Sequence, residues 1–251
     1  YLAVIFGNTS FLGLFNTTLA AWPIWMWVIV LLGYSYVASV LPVWTLLQPR
    51  DYINSLQLIS ALSLIVFGLV VAALFGYTPT GGEKQTLSMV APAWDLNPKK
   101  APVIFPFLFI TIACGAVSGF HCLVSSGTSS KQLKNETDAR FVGYGSMLTE
   151  GFLATLAIVA CGAGLGLGLA MKDGTMLTGQ SAWAAQYGDW TAAGALAAKV
   201  GAFVQGSANF LQALGLSSSV AIALMGVLVA SFAGTTLDTA CRLQRYVVQE
   251  L

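Results

Sequence analysis

Residues 105–130 read FPFLFITIACGAVSGFHCLVSSGTSS. The first ten residues are apolar enough to lie in hydrocarbon. The remainder is crowded with Gly and Ser around His121, the only histidine of the chain. KQLKNETDAR follows at 131–140, and no bilayer core would accept it. The medium therefore decides how this stretch folds. Of the 251 residues, 57% are hydrophobic and 8% charged, against about 25% charged in soluble domains. So few charges cannot cover a water-exposed surface of this size, and the composition is that of an all-α polytopic membrane protein.

A spanning helix needs about 20 predominantly apolar residues. Five stretches meet that length, at about 22–47, 56–76, 104–129, 141–171 and 219–242, within a single transmembrane domain over 1–251. Residues 1–21 are interrupted by Gly and Asn and suit a helix end or a re-entrant piece. The segment 191–216 carries Lys199, Gln205 and Asn209 and suits an interfacial or gate-like helix. Alternating the five spans gathers loops 48–55 and 130–140 and segment 242–251 on one side. All four arginines, Arg50, Arg140, Arg242 and Arg245, fall there with Lys131 and Lys134. The opposite side holds 77–103 and 172–218, which are far longer. Positive density in short loops marks the cytoplasmic side, so 77–103 and 172–218 are expected outside. On this reading Arg50 and Arg140 are topology anchors. The chain shows no signal peptide, begins YLAVIFGN and ends at LQRYVVQEL on what reads as the edge of a helix, as a central piece of a longer protein would.

Net charge is +1, and without a clustered basic surface nucleic acid is excluded as a partner. Cys114, Cys122, Cys161 and Cys241 match no zinc spacing and read as reduced packing residues. CGAGLGLGLAM at 161–171 follows no strand, so it reads as close helix contact through small residues, not as a dinucleotide loop. No GxxxxGK[ST] loop occurs. No cofactor and no metal ion are called for.

Ionisable groups at membrane depth are costly, about 2.5–3.5 kcal/mol at a helix centre, and default to functional hypotheses. Three stand out. Glu150 lies ten residues beyond Arg140, about 15 Å along a helix, and His121 lies ten before Lys131 on the preceding span. Similar depth on neighbouring antiparallel helices predicts a His121–Glu150 pair able to hold a transferable proton. Around it Gly115, Ser118, Gly119, Ser125 and Ser126 favour departure from regular helix. Unwound backbone at membrane depth is tolerated where it lines a cavity, so 115–128 is the expected discontinuous helix and substrate site. The third group, Asp238, stands four residues before Arg242, as an i, i+4 salt bridge would. Alternatively Ser231, Thr235, Thr236, Asp238 and Thr239 supply hard oxygens to a cation.

ASVLPVWTLLQPRDYINS at 38–55, the run 105–152 with SGFH, SSGT, KQL, NETDAR and GYG, and SFAGTTLDTACRLQRYVVQE at 231–250 together closely resemble the carbon starvation protein A (CstA) family. The resemblance covers nearly the whole chain. It implies a bacterial or archaeal inner-membrane secondary transporter, a symporter taking up peptides or pyruvate-like carboxylates with a proton or sodium. It also implies a five-plus-five inverted-repeat fold like that of amino-acid and sodium–solute symporters. By that analogy 115–128 is one discontinuous helix and 235–239 lies near a second cation site. Members of the family are longer than this chain. Two other classes fit less well. A non-transporting subunit of a membrane complex would use Glu150 and Asp238 as interhelical glue. An intramembrane enzyme would need a nucleophile–base constellation that one histidine does not make.

Overall fold

The computed structural model describes residues 4, 6–7, 10–79, 83–95, 99–117, 119–171 and 174–250. Helices dominate: α1 (Ser10–Ala20), α2 (Ile24–Val40), α3 (Val43–Phe75), α4 (Ile104–Ala116), α5 (Gly119–Gly127), α6 (Asp138–Gly162), α7 (Gly179–Tyr187), α8 (Trp190–Ala193), α9 (Leu196–Ala213) and α10 (Ser218–Glu250). A two-stranded antiparallel ribbon, β1 (Leu169–Ala170) and β2 (Met176–Leu177), is the only sheet among the described residues. Three helices there are long and apolar enough to cross a membrane: Trp44–Phe75, Asp138–Leu167 and Ser218–Gln249. The pair Leu12–Ala20 and Ile24–Val40, bent by 106°, makes a fourth if it counts as one broken span.

The boundaries differ from those read off hydropathy. The expected span 22–47 is cut at Val40, because Leu41 precedes Pro42 and is driven to an extended conformation (φ −64°, ψ 148°). The expected loop 48–55 does not exist: it lies inside α3, whose 33 residues take in Pro49. The expected span 141–171 stops being α-helical at Gly162, passing into a 3₁₀ turn at Gly164–Leu167 and then β1. Helix α10 continues through 242–250, beyond the expected limit at 242.

The break near 115–128 is present. Helix α4 ends at Ala116, Val117 leaves helical geometry (φ −127°, ψ 50°), and α5 restarts at Gly119. Gly115 and Gly119 flank the interruption, and each glycine weakens a helix by about 1 kcal/mol relative to alanine.

The chain forms two compact units, Tyr1–Ala61 with Ala223–Leu251, and Leu62–Ile222. In the second, α9 is a core element and not the interfacial helix expected for 191–216. Ala202, Gly206, Ser207, Ala208, Asn209, Phe210 and Leu211 are buried. Both amide hydrogens of Asn209 are used, donated to the carbonyls of Gly164 (2.8 Å) and Gly168 (2.7 Å). Its Oδ1 accepts from Gln205 (3.1 Å). The glycine-rich stretch after α6 is thus clamped onto α9. A Cβ on Gly164 would meet the Gly206 carbonyl at 2.6 Å, and one on Gly206 would collide with the Ala160 carbonyl. The small residues do permit close contact, but of the glycines only Gly162 is in the α-helix, while Gly164, Gly166 and Gly168 lie in the 3₁₀ turn and just beyond.

In the same unit Asp189 caps α8 by accepting from the Thr191 amide (2.9 Å), and it pairs with Lys100 (2.8 Å). The Lys100 bond, then the Thr191 amide, hold its pKa down at about 2. A lowered folded-state pKa means that the latch holds above about pH 4 and is lost as pH falls through about 2. Hydrogen exchange at 188–194 should therefore be faster in Asp189→Asn than in wild type at pH 5–7, and the two should converge as pH approaches about 2. A second expectation concerns packing: Gly206→Val should destabilise by about 1–3 kcal/mol in thermal unfolding of the detergent-solubilised protein. Gly201→Ala, where nothing lies within 4 Å of the added carbon, should be close to neutral.

Candidate functional site

The first unit holds the strongest concentration of buried polar groups. On α3, Arg50, Asn54 and Gln57 are spaced four and three residues apart. On α10, Ser231, Thr235 and Asp238 carry the same spacing, so each set forms one stripe along its helix. The stripes meet antiparallel. Ser231 donates to Oδ1 of Asn54 (2.7 Å) and to Oε1 of Gln57 (3.3 Å), and Asn54 donates to the Thr235 hydroxyl (2.5 Å). The third rung is ionic: Nη1 of Arg50 contacts Oδ2 of Asp238. Tyr34 of α2 closes a triangle, accepting from Arg50 Nη1 (2.8 Å) and donating to Asp238 Oδ2 (2.9 Å).

Asp238 has no exposed surface, while the Arg50 side chain is 21% exposed. The pair is not saturated. Asp238 Oδ1 and the Nε and Nη2 atoms of Arg50 are buried without a hydrogen-bond partner. The Nε–Nη2 edge of a guanidinium is a fork that takes a carboxylate bidentately. At the other end of the ladder a cavity of about 480 Å³ opens, lined by Gln57 and Ser60 with apolar Val4, Ile53, Leu56, Leu224 and Val227. That volume falls in the range of small-molecule sites.

Below Asp238, Arg242 is buried and does not form the i, i+4 salt bridge expected of it. Its Nη2 donates to the carbonyls of Ala38 (2.9 Å) and Leu41 (2.7 Å), while Arg245 donates to Ser39 (2.6 Å). Those carbonyls end α2, where unsatisfied acceptors and the negative end of the helix dipole collect. Two arginines thus neutralise a helix terminus, and Asp238 is left to Arg50.

The other anticipated residues are dispersed. Thr236 is exposed and, like Thr239, bonds back to its own helix, to Phe232 and Thr235 respectively. Gly115 ends α4 with open space beside it, Gly119 begins α5, and Ser118 lies outside the described residues. Ser125 and Ser126 donate to the Cys122 carbonyl of α5. His121 is exposed on α5; Glu150 is exposed at the middle of α6, twelve residues from either end. Sequence reasoning passed over Tyr34, Asn54 and Gln57 and took Arg50 for a loop anchor. The available signal was the matched four–three spacing of polar residues at 50, 54 and 57 and at 231, 235 and 238.

Comparison with known proteins gives a consistent picture. The family model for carbon starvation protein CstA matches residues 1–251. The pyruvate/proton symporter BtsT of Escherichia coli is 47% identical over 130 residues, 52% of this chain and 17% of that protein. The peptide transporter CstA of Helicobacter pylori is 48% identical over 134 residues, 53% of this chain and 18% of that protein. The peptide transporter CstA of Escherichia coli is 45% identical over 154 residues, 57% of this chain and 20% of that protein. The matched part of the chain spans no more than about a fifth of the length of these relatives. No solved structure matches the chain.

Removing one member of a buried ion pair strands the other, at a cost of about 3–5 kcal/mol. Arg50→Met should lower stability by that order in chemical or thermal unfolding. Arg50→Met combined with Asp238→Leu should recover much of it. A double variant as unstable as the sum of the singles would mean the two side chains do not act as a pair.

Proposed function

The chain belongs to the carbon starvation protein CstA family, and we propose that it forms part of a secondary active transporter importing small carboxylates or short peptides. Three features support this reading: helices long and apolar enough to cross a membrane, relatives named as a pyruvate/proton symporter and as peptide transporters, and the Arg50–Asp238 pair. The pair is the observation that carries it. A carboxylate with no exposed surface, held by a guanidinium with unused donors, is a device for exchanging one anion for another.

In the resting arrangement Asp238 and Tyr34 hold Arg50 through Nη1. A substrate that advances from the cavity beside Gln57 along the ladder, about two turns of α3, would present its carboxylate to the Nε–Nη2 fork of Arg50. Protonation of Asp238 removes its charge and releases Arg50 from its internal partner. Substrate and proton then bind together, because each relieves the penalty the other would create. This chemistry favours proton over sodium coupling at Asp238, since a guanidinium stands where a metal cation would sit. Ser231 and Thr235 are engaged with Asn54 and Gln57, so the hydroxyls serve as rungs of the ladder in place of cation ligands. The discontinuity at Val117 marks the stretch where unwound backbone would face substrate, with His121 and Glu150 as further proton-handling candidates. In this reading 77–103 and 172–218 lie outside an inner membrane, with 130–140 and the end of α10 in the cytoplasm. The hinge at Leu41–Pro42 takes the cytoplasmic turn that 48–55 was expected to provide.

The test is uptake of pyruvate and of a dipeptide by liposomes holding the full-length protein under an imposed proton gradient. Asp238→Asn should still equilibrate substrate but lose accumulation against its gradient. Arg50→Lys keeps the charge without the fork and should raise KM by about tenfold or more. Accumulation by Asp238→Asn equal to wild type would move coupling to Glu150 or His121. A sodium gradient able to replace the proton gradient would overturn proton coupling.

A further inference from the structure

The second unit carries a cavity that the central site does not use. It has a volume of about 390 Å³ and is lined by Trp183 and Tyr187 of α7, Trp190 of α8, Lys199 of α9, and Pro92 and Asp95 of the segment before α4. Three aromatic walls in a membrane protein could be no more than an interfacial belt. Two observations point further. The walls are fixed in place, and the lining bears both signs of charge.

Fixing comes from several elements. Trp183 and Tyr187 stack with centroids 4.3 Å apart. The Tyr187 hydroxyl is bonded to the Cys161 thiol, which ties α7 to the end of α6, and burial, then that neighbour, push its pKa up. The Trp190 amide donates to the Lys99 carbonyl (3.2 Å), and its ring packs edge-on to Phe107 (6.2 Å). The Asp189–Lys100 bond and the Asp189 cap hold the start of α8. Gln186 donates to the Ala198 carbonyl (2.9 Å), which joins α7 to the turn of α9 that carries Lys199. Such a pocket loses little order when it is filled.

Its lining chemistry selects the occupant. A carboxylate alone would meet Lys199 but also Asp95; an apolar lipid chain would desolvate both. A compact cavity of about 390 Å³ is about 9 Å across, room for two to three extended residues at about 3.3–3.6 Å each. We propose that this is an outer capture site for a short zwitterion with an apolar side chain, of dipeptide length. Its carboxylate pairs with Lys199, its ammonium with Asp95, and its side chain lies on Trp183 and Tyr187, whose faces also attract the ammonium. The proposal rests on the transport reading only for the placement of 77–103 and 172–218 outside the membrane, and it adds a binding site distinct from Arg50 and Asp238.

Calorimetric titration of the full-length protein in detergent tests it, with Leu-Leu as probe and pyruvate and the end-capped N-acetyl-Leu-Leu-amide as controls. Leu-Leu should bind. Lys199→Gln and Trp183→Ala should each weaken that binding by about tenfold or more, with an unchanged unfolding midpoint for Lys199→Gln because Lys199 is exposed. Leu-Leu binding unaffected by either substitution, or equal binding of the capped peptide or of pyruvate in a Lys199-dependent manner, would overturn the proposal. Lys199-dependent binding by a protein that accumulates nothing in liposomes would sustain this site while removing the transport reading.

Discussion

A carboxylate with no exposed surface has to be neutralised, and Asp238 imposes that condition on three helices at once. Its partner must be a cation long enough to reach across from α3, and Arg50 is placed to do so because 48–55 is helical. In a loop, Arg50 would have kept its own solvation and had no fixed direction. In α3 it points in register with Asn54 and Gln57. Tyr34 then fits α2 to the same anion, its hydroxyl accepting from the arginine and donating to the aspartate. The packing of α2, α3 and α10 in this unit and the chemistry of the site are therefore one arrangement.

The same logic explains the neighbouring arginines. Pro42 forces Leu41 out of helical geometry, which ends α2 and leaves its last carbonyls without intrahelical donors. Arg242 and Arg245, one and two turns past Asp238 on α10, take up those carbonyls. Had Arg242 turned back to Asp238 at i, i+4, the end of α2 would have been buried unsatisfied. A local rule at one proline thus decides which of two arginines a distant carboxylate receives.

What the sequence disclosed follows from which forces are local. Helical class and membrane character were legible because apolar surface is a bulk property of each segment. The break at Val117 was legible because Gly115, Ser118 and Gly119 weaken a helix whatever surrounds them. The α2–α3 boundary was obscured because a hydropathy window averages across Leu41 and Pro42, both compatible with an apolar run. Conversely, the polar residues of 48–55 lowered hydropathy and suggested a loop, although the stretch is helical and Arg50 and Asn54 find partners on α10. Asn209 misled in the same way: amide groups that looked interfacial are saturated by the Gly164 and Gly168 carbonyls, a contact 41–45 residues away. Pairings of this range leave only a spacing in the sequence, and spacing shows a stripe without showing its mate.

The exposure of the ionisable residues is informative about how charge is distributed. Glu150 and His121 lie exposed on apolar helices, whereas Asp238 is sealed, and these conditions suit different tasks. An exposed ionisable group on an apolar helix is held at membrane depth only at a cost of about 2.5–3.5 kcal/mol unless something covers it. A sealed group with an internal counter-ion responds only when the pair itself opens. Opening needs either a proton on the carboxylate or a second anion on the guanidinium, and each makes the other easier. Burial with an internal counter-ion is thus what sets Asp238 and Arg50 apart from the exposed His121 and Glu150.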